Sequence, residues 1–104
     1  VTAGDWVVTA GVTGKDAKTG VPDDFESQVH QAYDNLRLAL ESGGSSLDDM
    51  VHTRTYLTDM QFADEYREIK KEILGDSLPT NSLVSTSALA DPRMYLEVEA
   101  IGIS

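Results

Sequence analysis

Residues 79–103 read PTNSLVSTSALADPRMYLEVEAIGI, and this stretch decides what kind of sheet the chain builds. Two runs rich in apolar and β-branched residues flank Ala90-Asp91-Pro92-Arg93. Asp-Pro initiates turns, because proline fixes its own φ and pushes the residue before it out of the helical region. The pattern predicts a hairpin turning at Asp91-Pro92, with Glu97 opposite about Ser85 or Thr86. The second run alternates, placing Met94, Leu96, Val98 and Ala100 on one face and Tyr95, Glu97, Glu99, Ile101 and Ile103 on the other. A strand face that mixes carboxylates with apolar side chains is unusual for a solvated edge. Either it meets another subunit, or one of its glutamates sits in a site.

Upstream of this stretch, Phe62, Tyr66, Ile69 and Ile73 form the apolar stripe of a helix expected over residues 61–74 and stopped by Gly75. Its acidic and basic residues fill the outer face. Residues 50–58 read as a strand, with Val51, Thr53, Thr55 and Leu57 on one face and Met50, His52, Arg54 and Tyr56 on the other. Phe25, Val29, Ala32, Leu36 and Leu40 recur at helical steps and predict a longer helix over residues 24–42. Asp23 is the expected cap, Glu26 completes the capping-box spacing, and Gly43-Gly44 ends the helix. His30, beside the stripe, has no second ligand at helical spacing and reads as a surface residue. Residues 6–10 form a short strand, and the polar, glycine-bounded segment 14–20 is a loop. That loop lacks the Gly-Lys-Ser/Thr ending of a phosphate loop.

The order strand, helix, strand, helix, strand, strand makes an α+β domain with one mixed sheet and both helices on one face. The other sheet face still carries apolar residues, so a second copy of the chain is expected to cover it. The chain has 104 residues, enough for one core, and no cysteine for a disulfide or a thiolate. Its net charge of −10 comes with only 8 Lys and Arg, which form no run or stripe, so nucleic acid is not an expected partner, and no membrane is expected as one either. No apolar run is long enough to span a bilayer, and a cytoplasmic location is expected. Because the sequence starts almost inside a strand, a short preceding segment is also expected.

Across nearly its whole length the chain resembles the reactive-intermediate deaminase family (RidA/YjgF, also described as L-PSP endoribonuclease-like). The resemblance begins with Gly4-Asp5-Trp6-Val7-Val8-Thr9-Ala10-Gly11 and continues in Gln28, Ala32 and Asn35-Leu36. It then runs through Gly44-Ser45-Ser46-Leu47-Asp48-Asp49-Met50-Val51 and Tyr56-Leu57-Thr58-Asp59-Met60. It ends in Pro79-Thr80-Asn81-Ser82 and Leu96-Glu97-Val98-Glu99-Ala100-Ile101. The resemblance implies a chorismate-mutase-like homotrimer with small-molecule sites in the clefts between subunits. It also implies hydrolysis of small enamines and imines to a keto acid and ammonia, without metal or organic cofactor.

In that family an arginine of a Pro-X-Arg-Ser motif grips the substrate carboxylate, and a glutamate of the last strand positions the attacking water. Here Glu97 matches the glutamate, while Asn81 stands at the arginine position, where a neutral amide cannot replace a bidentate cation. A serine common in the family at the Ala10 position is also absent. Asn81 and Ser82 are the expected polar contacts to substrate, and Arg93, just after the turn, is a candidate to supply a cation from a new direction. On the hairpin reading Asn81 lies about 15 Å from Glu97 at ~3.3 Å per residue, so the two would share a ligand only across a subunit boundary. Two functions stay open: an imine hydrolase with Glu97 as its base, and a non-catalytic ligand-binding or regulatory trimer using the same cleft. Ribonuclease activity follows from a family label alone and is opposed by the charge.

Overall fold

The computed structural model describes Val1–Ser104. Its centre is the last strand, β6 (Leu96–Ile103), which has partners along both edges. On one side it pairs antiparallel with β4 (Met50–Leu57). On the other it pairs antiparallel with β2 (Trp6–Val8) and, further along, with β3 (Val12–Thr13). Strand β1 (Thr2–Ala3) extends the sheet beyond β2, and β5 (Thr80–Ser85) extends it beyond β4.

The hairpin expected around Asp91-Pro92 does not form. Strand β5 runs parallel to β4, and β4 lies between β5 and β6. Composition explains the swap. β6 and β4 each present buried side chains along one face, whereas β5 is polar and partly exposed, which suits an edge. The parallel β4–β5 pair requires a crossover, and the helix between them supplies it. The chain then steps around the end of β4, where Thr86 N donates to Leu57 O at 2.9 Å and Thr58 N donates to Tyr95 O at 3.1 Å.

Helices α1 (Phe25–Ser42) and α2 (Ala63–Leu74) lie on one face of this sheet. All five stripe residues of α1 are buried, and Tyr33 and Gln28 are buried with them. Asp24, one residue later than expected, caps α1 by accepting from Ser27 N at 2.9 Å. Gly44, at φ +90°, takes the left-handed turn that leads the chain out of the helix. A short 3₁₀ turn, Met60–Phe62, precedes α2, so the second helix begins two residues later than its pattern suggests. Ahead of β6, Tyr95 packs its ring against Phe25 and Phe62, with centroids 6.1 and 5.2 Å away, rather than joining the face of Glu97.

A register shift between Met50 and His52 turns Met50 into the core beside Thr53, Thr55 and Leu57. The alternation expected from the start of β4 therefore holds only from His52 onward. The opposite face of the sheet has no helix over it. Trp6, Val8, Val84 and Ile103 are all exposed there, at 51, 41, 39 and 42%. No helix is long and apolar enough to cross a membrane.

Candidate functional site

The two glutamates of β6 share the open face but stand in different surroundings. Glu99 accepts a hydrogen bond from the Tyr56 hydroxyl at 2.9 Å and lies 3.8 Å from Arg54 Nη1. The Tyr56 hydroxyl, with Glu99 behind it, in turn pushes Arg54 above its ordinary range, so the guanidinium stays charged. Val8, His52, Arg54, Glu99 and Ile101 line a shallow depression here of about 150 Å³. This cluster combines satisfied charges with apolar walls, the composition of a contact surface.

Glu97 makes no hydrogen bond or ion pair within the chain and is half-buried. A break between β2 and β3 shapes its surroundings. Val8 pairs with Ile101 and Val12 with Val98, so the first strand carries one more residue than its partner across this interval. Thr9 closes the gap: its N donates to Ala100 O and its Oγ1 accepts from Ala100 N, both at 3.0 Å. The bulged backbone brings Gly11 against the Glu97 side chain, where a Cβ would lie 2.7 Å from Glu97 Cδ. Only glycine leaves room for the carboxylate at that position. Bulges of this kind re-aim side chains and end pairing beside functional sites.

Asn81 lies elsewhere. It is in register with Thr53, on the helix-covered side, and its Oδ1 accepts from Thr53 Oγ1 at 2.7 Å and from Thr55 Oγ1 at 3.2 Å. Thr55 Oγ1 is also bonded to Tyr66 OH at 2.7 Å, and Tyr66 OH to Tyr33 OH at 2.7 Å. Within one chain Asn81 and Glu97 are thus separated by β4 and face opposite ways. What keeps them apart is the intervening strand and the opposite faces, not the two arms of a hairpin. Ser82, one residue on, faces the open side in register with Arg54 and through it with Glu99. Arg93 is exposed and forked onto Asp91, its Nη2 2.8 Å from Oδ2 and its Nε 3.1 Å from Oδ1. Its cationic group is held in its own turn.

Two side chains have structural roles that the sequence patterns do not reveal. Gln28 is fully buried; its Nε2 donates to Pro22 O and Arg93 O, and its Oε1 accepts from Tyr95 N. It fixes the entry into β6 and thus the register of Glu97. Tyr33 was legible in principle, since Val29, Tyr33, Leu36 and Leu40 also stand at helical spacing.

A mixed sheet of six strands with two helices on one face and an apolar, charged face left open is a chorismate-mutase-like α+β fold. The family profile described as Endoribonuclease L-PSP matches residues 1–104, and the chain belongs to this family, also known as RidA/YjgF. A RutC family protein of Pyrococcus horikoshii is 34% identical over 103 residues, covering 97% of this chain and 81% of the relative. The 2-iminobutanoate/2-iminopropanoate deaminase of Escherichia coli is 26% identical over 107 residues, covering 99% and 83%. The crystal structure of RidA from an Antarctic Psychrobacter superposes with a TM-score of 0.93 at 28% identity, over 100% of this chain and 85% of that one.

Proposed function

We propose that the protein is a cytoplasmic homotrimer that hydrolyses a small C=N compound, an imine or its enamine tautomer, in a cleft between subunits. The observation that carries this reading is Glu97: a carboxylate without an internal partner, seated on Gly11 where the backbone bulges. Its neighbour Glu99, by contrast, has its Oε1 engaged by both Tyr56 and Arg54. A carboxylate left free is able to accept a proton from a water molecule as that water attacks the imine carbon. The C=N π pair moves to nitrogen, giving a carbinolamine. Glu97 then returns that proton to the nitrogen and relays the carbinol hydroxyl proton to it as well, so that the O–H pair closes the C=O bond while the C–N pair leaves with ammonia. Subunit contact through Trp6, Val8 and Ile103 would cover the open face and bring residues of a neighbouring β5 edge toward Glu97.

Named activities of relatives support the reaction class, and Asn81 limits it. Without a guanidinium, an α-carboxylate loses charge-assisted hydrogen bonds worth roughly 1.5–3 kcal/mol each. Turnover of 2-aminoacrylate-type acids should therefore be slow, and Asn81→Arg should raise it. Release of keto acid and ammonia from freshly generated imines measures both. Glu97→Gln should abolish whatever hydrolysis is seen and leave assembly intact; retained activity would remove Glu97 from the chemistry. The absence of a family arginine also favours a second reading, a non-catalytic ligand-binding trimer. It takes the lead if neither the natural chain nor Asn81→Arg hydrolyses any imine while ligand binding persists.

A further inference from the structure

Asn81 ends a buried chain of hydroxyl groups whose proton directions are all determined. Burial pushes the phenols of Tyr33 and Tyr66 above their ordinary range, so both keep their protons. Each hydroxyl has one proton to give, and an amide oxygen only accepts. Thr55 and Thr53 therefore donate to Asn81 Oδ1, Tyr66 donates to Thr55, and Tyr33 donates to Tyr66. Turning the amide over would reverse the chain. Thr55 would then donate to Tyr66 and Tyr66 to Tyr33, leaving the protons of Tyr33 and Thr53 without an acceptor. Those residues are 1% and 0% exposed, where an unpaired donor is strongly disfavoured.

The network thus holds Oδ1 inward and Nδ2 outward. Nδ2 makes no hydrogen bond within the chain, yet no buried side-chain polar atom lacks a partner, so Nδ2 reaches solvent on edge strand β5. What this position offers a ligand is a rigid, uncharged pair of N–H donors. Charge does not come from the arginines of the chain either. Arg37, Arg54, Arg67 and Arg93 are each paired with a carboxylate, on Glu41, Glu99, Asp64 and Asp91. The Lys70 ammonium is engaged over the Tyr66 ring, 5.4 Å from its centroid. The net charge of −10 further opposes an incoming anion.

We infer that Asn81 sets specificity in the cleft and selects a ligand with an uncharged oxygen acceptor, an amide or ketone, over the matching carboxylate. The inference rests on the cleft reading given above. A carboxylate entering this site gives up its hydration for neutral donors that repay only part of it, whereas an amide oxygen gives up much less. Asn81 is then the counterpart of a neutral group on the substrate rather than a damaged carboxylate clamp.

The test is NMR titration of the isotope-labelled protein with 2-oxobutanamide and with 2-oxobutanoate, following the Asn81 side-chain amide and the Gly11 backbone amide. The amide should bind about tenfold more tightly than the acid and move both signals. Asn81→Asp keeps the oxygen that Thr53 and Thr55 address and replaces the outward NH₂ by an anionic acceptor, so the fold is retained while the amide loses about tenfold in affinity and the acid is rejected further; unchanged amide binding in this variant overturns the inference. Equal or tighter binding of the acid overturns the inference and points to a cation such as Lys70. Binding that moves Gly11 but leaves Asn81 still overturns it too, with the cleft reading intact. If neither compound binds, both fall together.

Discussion

Glu97 and Glu99 stand two residues apart on one face, and what separates them is the company each keeps. Tyr56 and Arg54 hold Glu99, while the carboxylate of Glu97 rests against a bare Cα at Gly11. Gly11→Ala is therefore a clean probe. The added Cβ meets the end of a flexible side chain, which can swing away, so stability should change by no more than about 1 kcal/mol. On the proposed reaction, hydrolysis should fall on the order of 10²-fold, the usual cost of misplacing a catalytic group by about 1 Å. Unchanged kinetics in a folded variant would mean that the seat of Glu97 is irrelevant to turnover. Asp91 gives a pH signature. The Arg93 guanidinium, helped by the Arg93 backbone N–H, holds its carboxyl down at about 2. The unfolded value is about 3.9, so the folded state binds fewer protons between the two. The stability this provides is fully present above about pH 4 and is lost as pH falls toward the folded value. Denaturant midpoints for the natural chain and Asp91→Asn should thus differ by a constant amount near neutrality and converge toward pH 2.

The hydroxyl chain ties α1, α2, β4 and β5 together, and its direction makes the consequences of breaking it unequal. Tyr66→Phe leaves the buried Tyr33 proton without an acceptor and should cost about 1–3 kcal/mol. Tyr33→Phe removes the terminal donor and strands no proton, so it should cost only about 0.5–1.5 kcal/mol. Equilibrium unfolding of the two variants decides the matter; equal losses, or a larger loss for Tyr33→Phe, would mean the chain runs the other way. The stripe of α1 provides a reference for these values. Leu36, fully buried among Val29, Tyr33 and Leu40, should cost about 2–5 kcal/mol on truncation to alanine.

For the molecule as a whole the decisive fact is a sheet covered on one face only. Four large apolar side chains stand exposed around a cluster of paired charges, and a second and third copy of the chain would bury them. Light scattering at micromolar concentration should give about three times 11.3 kDa. Trp6→Ala and Ile103→Ala should weaken the proposed trimer, and any imine hydrolysis should fall with it, because the proposed cleft lies between two subunits. A monodisperse monomer would refute the trimer and the inter-subunit cleft at once.

The sequence alone determined both helices, the face each buries, and the alternation of the last strand, because periodicities of 3.6 and 2 are written in neighbouring residues. It also carried the family motifs that single out Glu97 and Asn81. The order of the strands was not legible, since pairing depends on which strands need two buried edges, and the polar β5 yields the central place to β4 only once all strands compete for β6. The bulge that seats Glu97 on Gly11 was equally hidden: one extra residue between Val8 and Val12 shows only against the register of its partner. So was the inward orientation of the Asn81 oxygen. It is fixed by Thr53, Thr55, Tyr66 and Tyr33, residues drawn from separate elements that only the packed tertiary structure brings into hydrogen-bonding distance.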